Sequence, residues 1–112
     1  MNIKDLTIKE SRGINSGMIG KYVIARCTRA GVHAGILVAQ SGQECVLKEA
    51  RRLYYWKPAN KASFLSGIAT EGLHADSKIG APVKEHLLEV CELIQCTNKA
   101  AKSISKIKSH VQ

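Results

Sequence analysis

The stretch that decides the fold is Gly31-Val-His-Ala-Gly-Ile-Leu-Val-Ala-Gln-Ser-Gly-Gln-Glu-Cys-Val-Leu-Lys-Glu-Ala50, which runs directly into Arg51-Arg-Leu-Tyr-Tyr-Trp56. Apolar, β-branched and aromatic residues recur here at a period of two, the spacing of extended backbone. Val32 to Ala39 reads as a strand with Ala34, Ile36 and Val38 on one face and His33, Gly35 and Leu37 on the other. A glycine inside a strand marks a bulge or a strong bend, which Gly35 therefore predicts. The turn Gln40-Ser-Gly-Gln43 leads to a further strand from Glu44 to about Lys48, continuing through a break at Glu49-Ala50 into Arg51–Trp56.

Working outward, Lys21–Arg29 predicts a preceding strand, with Val23, Ala25 and Cys27 opposite to Tyr22, Ile24 and Arg26, and with Ala30-Gly31 as the turn between the two strands. On the other side, Pro58 closes the sheet segment because it cannot donate to a ladder. Ser63 offers an N-cap for a short helix over Phe64–Glu71, stopped by Gly72, and residues 73–82 read as a loop. Residues 83–95 fit a helix through Leu87, Leu88, Cys91 and Ile94, or a strand interrupted by Glu92. The strand is preferred because Thr97 is a good N-cap, so that a new helix begins at Asn98 and runs to about Val111. The expected architecture is α+β: an N-terminal arm over residues 1–18, then one domain over 19–112. That domain is a small, strongly bent antiparallel sheet of the SH3/Sm-like barrel type, with a short middle helix and a C-terminal helix.

The 112 residues carry 17 Lys+Arg against 9 Asp+Glu, a formal net charge of +8, and 45% of them are hydrophobic, which excludes general disorder. No apolar run reaches the ~20 residues of a membrane span, and the first residues lack the apolar block of a signal peptide. The expectation is a soluble, cytoplasmic protein with no membrane partner. Cys27, Cys45 and Cys91 fall in apolar segments, and only the Cys91 and Cys96 spacing is ligand-like, so the cysteines read as free thiols. No metal and no cofactor is expected.

Two resemblances follow from these residues. Gly31–Ala50, with its strand-kinking glycine, short turn and apolar strand, looks like the first motif of Sm-like proteins, which implies a small barrel and rings formed through edge strands. The second Sm motif is not visible after Trp56. The pattern Gly20-Lys-Tyr-Val, Ala30-Gly-Val-His-Ala-Gly35, Ala50-Arg-Arg-Leu-Tyr-Tyr-Trp56 and Cys96-Thr97 with its lysine-bearing helix is similar to a family of short accessory proteins of tailed phages and prophages. That resemblance implies a genomic context, the host bacterial cytoplasm, and proteins that act by binding host proteins, nucleic acids or signalling molecules.

Chemistry is expected where arginine and aromatic residues coincide. The chain has five aromatics, and Tyr54, Tyr55 and Trp56 stand together beside Arg51 and Arg52. Guanidinium groups bind phosphate bidentately and aromatic faces stack on bases. Strand alternation predicts Arg52, Tyr54 and Trp56 on one face; the competing reading packs Tyr54 and Trp56 under the first helix or in a subunit interface. Arg26, Arg29 and His33 are expected to close the site from a neighbouring strand or subunit. Segment 21–61 carries eight Lys/Arg against Glu44 and Glu49, which concentrates the positive field there. The C-terminal lysines read as a solvated helix face.

No Ser-His-Asp ordering, phosphate loop or paired carboxylates are present, so a non-enzymatic protein is expected. Three functions stand open. The first is a homo-oligomeric, phage-type protein that sequesters an anionic nucleotide, for instance a host immune signal. The second is an Sm-like binder of single-stranded RNA or DNA, and the third a protein–protein inhibitor of a host enzyme.

Overall fold

The computed structural model describes residues 17–55, 65–74 and 77–109. Residues 1–16 of the arm expected over 1–18, Trp56, Pro58 and the Ser63 cap lie outside the described residues, as does the side chain of Tyr55. Six strands and two helices follow in the order β1 (Tyr22–Cys27), β2 (Val32–Ser41), β3 (Glu44–Tyr55), α1 (Leu65–Glu71), β4 (Lys78–Ile79), β5 (Val83–Leu87), β6 (Val90–Gln95) and α2 (Asn98–Lys106). All pairings are antiparallel, in the order β4-β3-β2-β1-β6, with β5 beside β4 on the outer edge of β3.

The bend predicted at Gly35 has a visible cause. Ala34 pairs with Arg51 and Ile36 with Lys48, so Glu49 and Ala50 together face Gly35, and Glu49 takes φ 53°. A Cβ on Gly35 would stand 2.9 Å from Ala50 Cα and 3.0 Å from the Lys48 carbonyl oxygen, so no side chain fits between the two strands there. The break expected at Glu49-Ala50 is thus this bulge, and β3 passes through it.

Strand alternation fills two cores. Ile24, Ala34, Leu53 and Ile79 meet Ile68, Ala69, Leu73, Ala100 and Ile104 of the helical layer. Val23, Ala25, Cys27, Leu37, Cys45, Leu47 and Ala50 line the other face, which the sheet covers with its own edges through Leu87 and Val90. These two residues come from opposite edges of the sheet, and the link between them is fastened by Thr28 N–H to the Glu89 carbonyl and Val90 N–H to the Gln43 carbonyl. No ladder joins β5 to β6, so the sheet is not closed into a barrel.

Three expectations are corrected. The loop predicted for 73–82 contains β4, because the edge of β3 beyond the end of β5 is taken up by Ile79 opposite Leu53 and by Gly80 N–H donating to the Arg52 carbonyl. Residues 83–95 form two strands and not one; Leu88 and Glu89 carry the chain from the β3 edge to the β1 edge. The last helix starts where predicted, with Thr97 Oγ1 accepting from Ala100 N–H at 3.1 Å, but ends at Lys106. Ile107 turns extended there and packs on the helix-side core, while Arg51 takes up the free carbonyls of the last turn. Among the described residues no helix is long and apolar enough to cross a membrane.

Candidate anion and aromatic site

Alternation along β3 separates the two adjacent arginines. Arg51 points into the helix-side core, where it is 3% exposed, and every nitrogen of its fork is used. Nε donates to the Gly80 carbonyl at 2.8 Å, Nη1 to Ile104 O at 2.8 Å and Ser105 O at 3.4 Å, and Nη2 to Ser109 Oγ at 3.2 Å. Burial lowers its pKa from the ordinary value, with the Tyr22 phenol opposing that shift. Burial in turn raises the Tyr22 phenol, whose oxygen has no hydrogen-bond partner among the described residues. The geometry makes Arg51 a clamp on the C-terminus of α2, where cations favour the helix dipole.

Arg52 points the other way and is exposed. Its guanidinium lies over the Tyr54 ring, 5.6 Å from the centroid, within the range of a cation–π contact. Tyr54 is 56% exposed and its ring borders Gly80, 3.4 Å from where a Cβ would stand. On the other side of Arg52, a Cβ on Gly31 would stand 3.4 Å from Nη2, and Gly31 holds φ 86°. Glycine here satisfies the left-handed turn and leaves the guanidinium uncovered. The expected shared face of Arg52 and Tyr54 is therefore present.

His33 stands opposite Arg52 in the β2–β3 register, but it is buried. Its Nε2–H donates to the Ala30 carbonyl at 2.8 Å, and its Nδ1 lies 2.9 Å from Glu85 Oε1 on β5. A carbonyl only accepts, so one proton is shared between Nδ1 and the carboxyl group. The pair ties the Ala30-Gly31 turn, which fronts Arg52, to the far edge of the sheet.

Arg29 follows on the same turn, exposed and paired to Glu89 at 3.2 Å. Arg29, Ala30, His86, Leu87, Leu88 and Glu89 line a cleft of ≈ 290 Å³. Arg26 pairs with Glu92 at 3.1 Å and, by alternation with Ala25 and Cys27, faces away from His33 and Arg52. The fold thus brings Arg52, Tyr54, His33 and Arg29 to one end of the sheet, His33 as a buried support, and takes Arg51 and Arg26 elsewhere.

Glu85, Gly31, Gly80 and Leu88 are not among the site residues expected from the sequence. Glu85 had a signal: in Val83-Lys84-Glu85-His86-Leu87 it shares the inward phase with Leu87, and an acid at an inward position needs a partner. No group of three or more His, Cys, Asp or Glu among the described residues has the arrangement of a metal site.

No curated protein and no solved structure matches the chain. Residues 20–104, which carry all six strands and most of α2, match a family described as a domain of unknown function, DUF6948, and the chain belongs to that family.

Proposed function

We propose that the protein is a non-enzymatic, phage-type binding protein that holds an anionic nucleotide on the Arg52–Tyr54 pair, removing a signalling molecule of the host by sequestration. One observation carries this reading. Of the arginines described, Arg26 and Arg29 face carboxylates and Arg51 is spent on carbonyls, whereas Arg52 meets no carboxylate or carbonyl among the described residues and rests on an exposed aromatic face. A planar cation beside an exposed ring matches a phosphate next to a base. Arg29, on the adjoining turn, supplies the second cation once the ligand phosphate competes with Glu89 for it. In the sequence Trp56 stands two residues after Tyr54, and its indole is the second stacking group this reading assigns.

In this reading the bent sheet is a relative of the SH3/Sm barrel, the protein works in the bacterial cytoplasm, and copies associate so that a neighbour completes each site. Calorimetric titration against a panel of cyclic and ADP-ribose-type nucleotides tests it. Saturable binding that is weakened in R52A supports the proposal, and absence of heat across the panel at micromolar protein removes it. Binding of random single-stranded RNA or DNA that falls steeply with salt would replace it with the Sm-like reading, since polymer binding releases counterions in proportion to the phosphates contacted.

A further inference from the structure

Chemistry that the Arg52 site leaves unused stands at the end of the β1–β6 ladder. Ala25 is opposite Leu93, and both pack in the core of the face away from the helices. One alternation further along, that face carries Cys27 on β1 and Cys91 on β6. Between Arg26 and Cys27 the register slips by one residue: Arg26 pairs with Glu92 and Cys27 with Val90, which leaves Cys91 as the extra residue of the bulge next to Cys27. The Cys91 thiol donates to the Arg26 carbonyl at 3.3 Å, which lays its sulfur on the β1 backbone at the peptide that leads into Cys27. The Cα partner of Cys27 is Val90, and Cys91 is the next residue along β6, so the two cysteines are diagonal neighbours across the bulge; a disulfide spans Cα atoms roughly 4.4–6.8 Å apart.

The two thiols differ in access. Cys91 is exposed and lines a cleft of ≈ 270 Å³ with Met18, Cys45 and Glu92, whereas Cys27 is buried. Burial pushes the Cys27 thiol up, and Cys91, Glu85 and Glu89 add to it, so Cys27 stays protonated in the reduced protein. Cys96 lies in the helix-side core; Cys45 shares the core with Cys27 but is buried like it, so Cys91 is the exposed thiol of the three on this face.

We propose that Cys91 and Cys27 are a redox modification site, an attacking and a resolving thiol that a low-molecular-weight disulfide converts into one cross-strand disulfide. The Cys91 thiolate attacks one sulfur of the small disulfide; that S–S bond breaks, a mixed disulfide forms on Cys91, and the first small thiolate leaves and takes a proton. Cys27 gives its proton to solvent and attacks Cys91 Sγ, expelling the second small thiolate, which is also protonated. Two protein thiols are oxidised and the small disulfide is reduced to two thiols. The product fastens β1 to β6 directly beside Thr28 and Arg29.

The experiment is incubation of the folded full chain with oxidised glutathione, alkylation of the remaining thiols, and tryptic mapping. Trypsin releases Cys27 in residues 27–29, Cys45 in 30–48, and Cys91 with Cys96 in 85–99. The expected product is a link between peptides 27–29 and 85–99, present in the wild type, C45S and C96S and absent from C91S. Circular dichroism of C91S is expected to match the wild type, because its side chain is exposed. A link that survives in C91S, a disulfide only between two copies, or Cys91 halted as the glutathione adduct with Cys27 still alkylated would each overturn the proposal.

Discussion

Arg51 Nη1 donates to the Ile104 carbonyl at 2.8 Å, so the arginine beside the exposed pair on β3 is what holds the last turn of α2 against the sheet. Its neighbour Arg52 has no such duty, and the two should separate cleanly under mutation. Arg51→Met removes charge-assisted bonds each worth about 1.5–3 kcal/mol and leaves buried carbonyls unmet, so a loss of roughly 2–4 kcal/mol is expected. Arg52→Met should stay within about 0.5 kcal/mol of the wild type, as surface substitutions do. Urea unfolding followed by far-ultraviolet circular dichroism measures both.

The His33–Glu85 pair gives a prediction about donors. Glu85→Gln still supplies an amide N–H to Nδ1 while Nε2–H serves Ala30, so stability is expected to change little. Glu85→Leu leaves Nδ1 buried and unmet at a cost of about 1–3 kcal/mol. Denaturation midpoints of the two variants, together with the ring nitrogen shifts of His33, check the difference.

The bulge at Gly35 predicts a contrast between two glycines. Gly35→Ala drives a methyl to 2.9 Å from Ala50 Cα, a backbone contact that cannot swing aside, so a loss of about 3 kcal/mol is expected. Gly42→Ala meets nothing within 4 Å and suffers only the left-handed backbone at φ 56°, about 1–2 kcal/mol. Equal losses at the two positions would contradict the close approach of β2 and β3.

Alkaline pH should weaken the fold through its buried thiols. Burial pushes Cys96 from the ordinary 9.0 up to about 12 and Cys45 up to about 11. The unfolded chain loses these protons near pH 9, whereas the folded protein keeps them, so the folded state binds more protons above pH 9. The contribution is fully present below pH 9 and disappears as pH rises towards about 12. Unfolding free energy measured against pH should therefore fall over that window, and less steeply in Cys96→Ala once its own stability change is subtracted.

Much of the sheet was legible because its strands alternate apolar and polar residues on either side of one glycine whose place within a strand announces the bulge. The N-cap at Thr97 was legible for the same local reason: a hydroxyl serves a backbone N–H three residues on. What escaped were pairings made at a distance. β4 is two residues long and exists only because the outer edge of β3 is free to receive it, and nothing in Lys78-Ile79 announces that. The division of 83–95 into two strands depends on Leu88 and Glu89 crossing between the two edges of the sheet. In the candidate site, alternation correctly joined Arg52 to Tyr54, but composition alone gave Arg51 the same role. Its burial followed from the helix terminus packed above it, a contact made 53 residues away in the chain.

The central claim is that Arg52 and Tyr54 form the recognition surface, and backbone amide shifts read it residue by residue. Cyclic and ADP-ribose-type nucleotides are titrated into ¹⁵N-labelled protein and into its R52A variant. Saturable shifts concentrated at Gly31, Arg52, Tyr54 and Gly80, with affinity in R52A weaker by roughly ten- to a hundredfold, are the predicted result. No saturable shift with any nucleotide, or shifts gathered instead around Met18, Cys45 and Cys91 and unchanged in R52A, would contradict it.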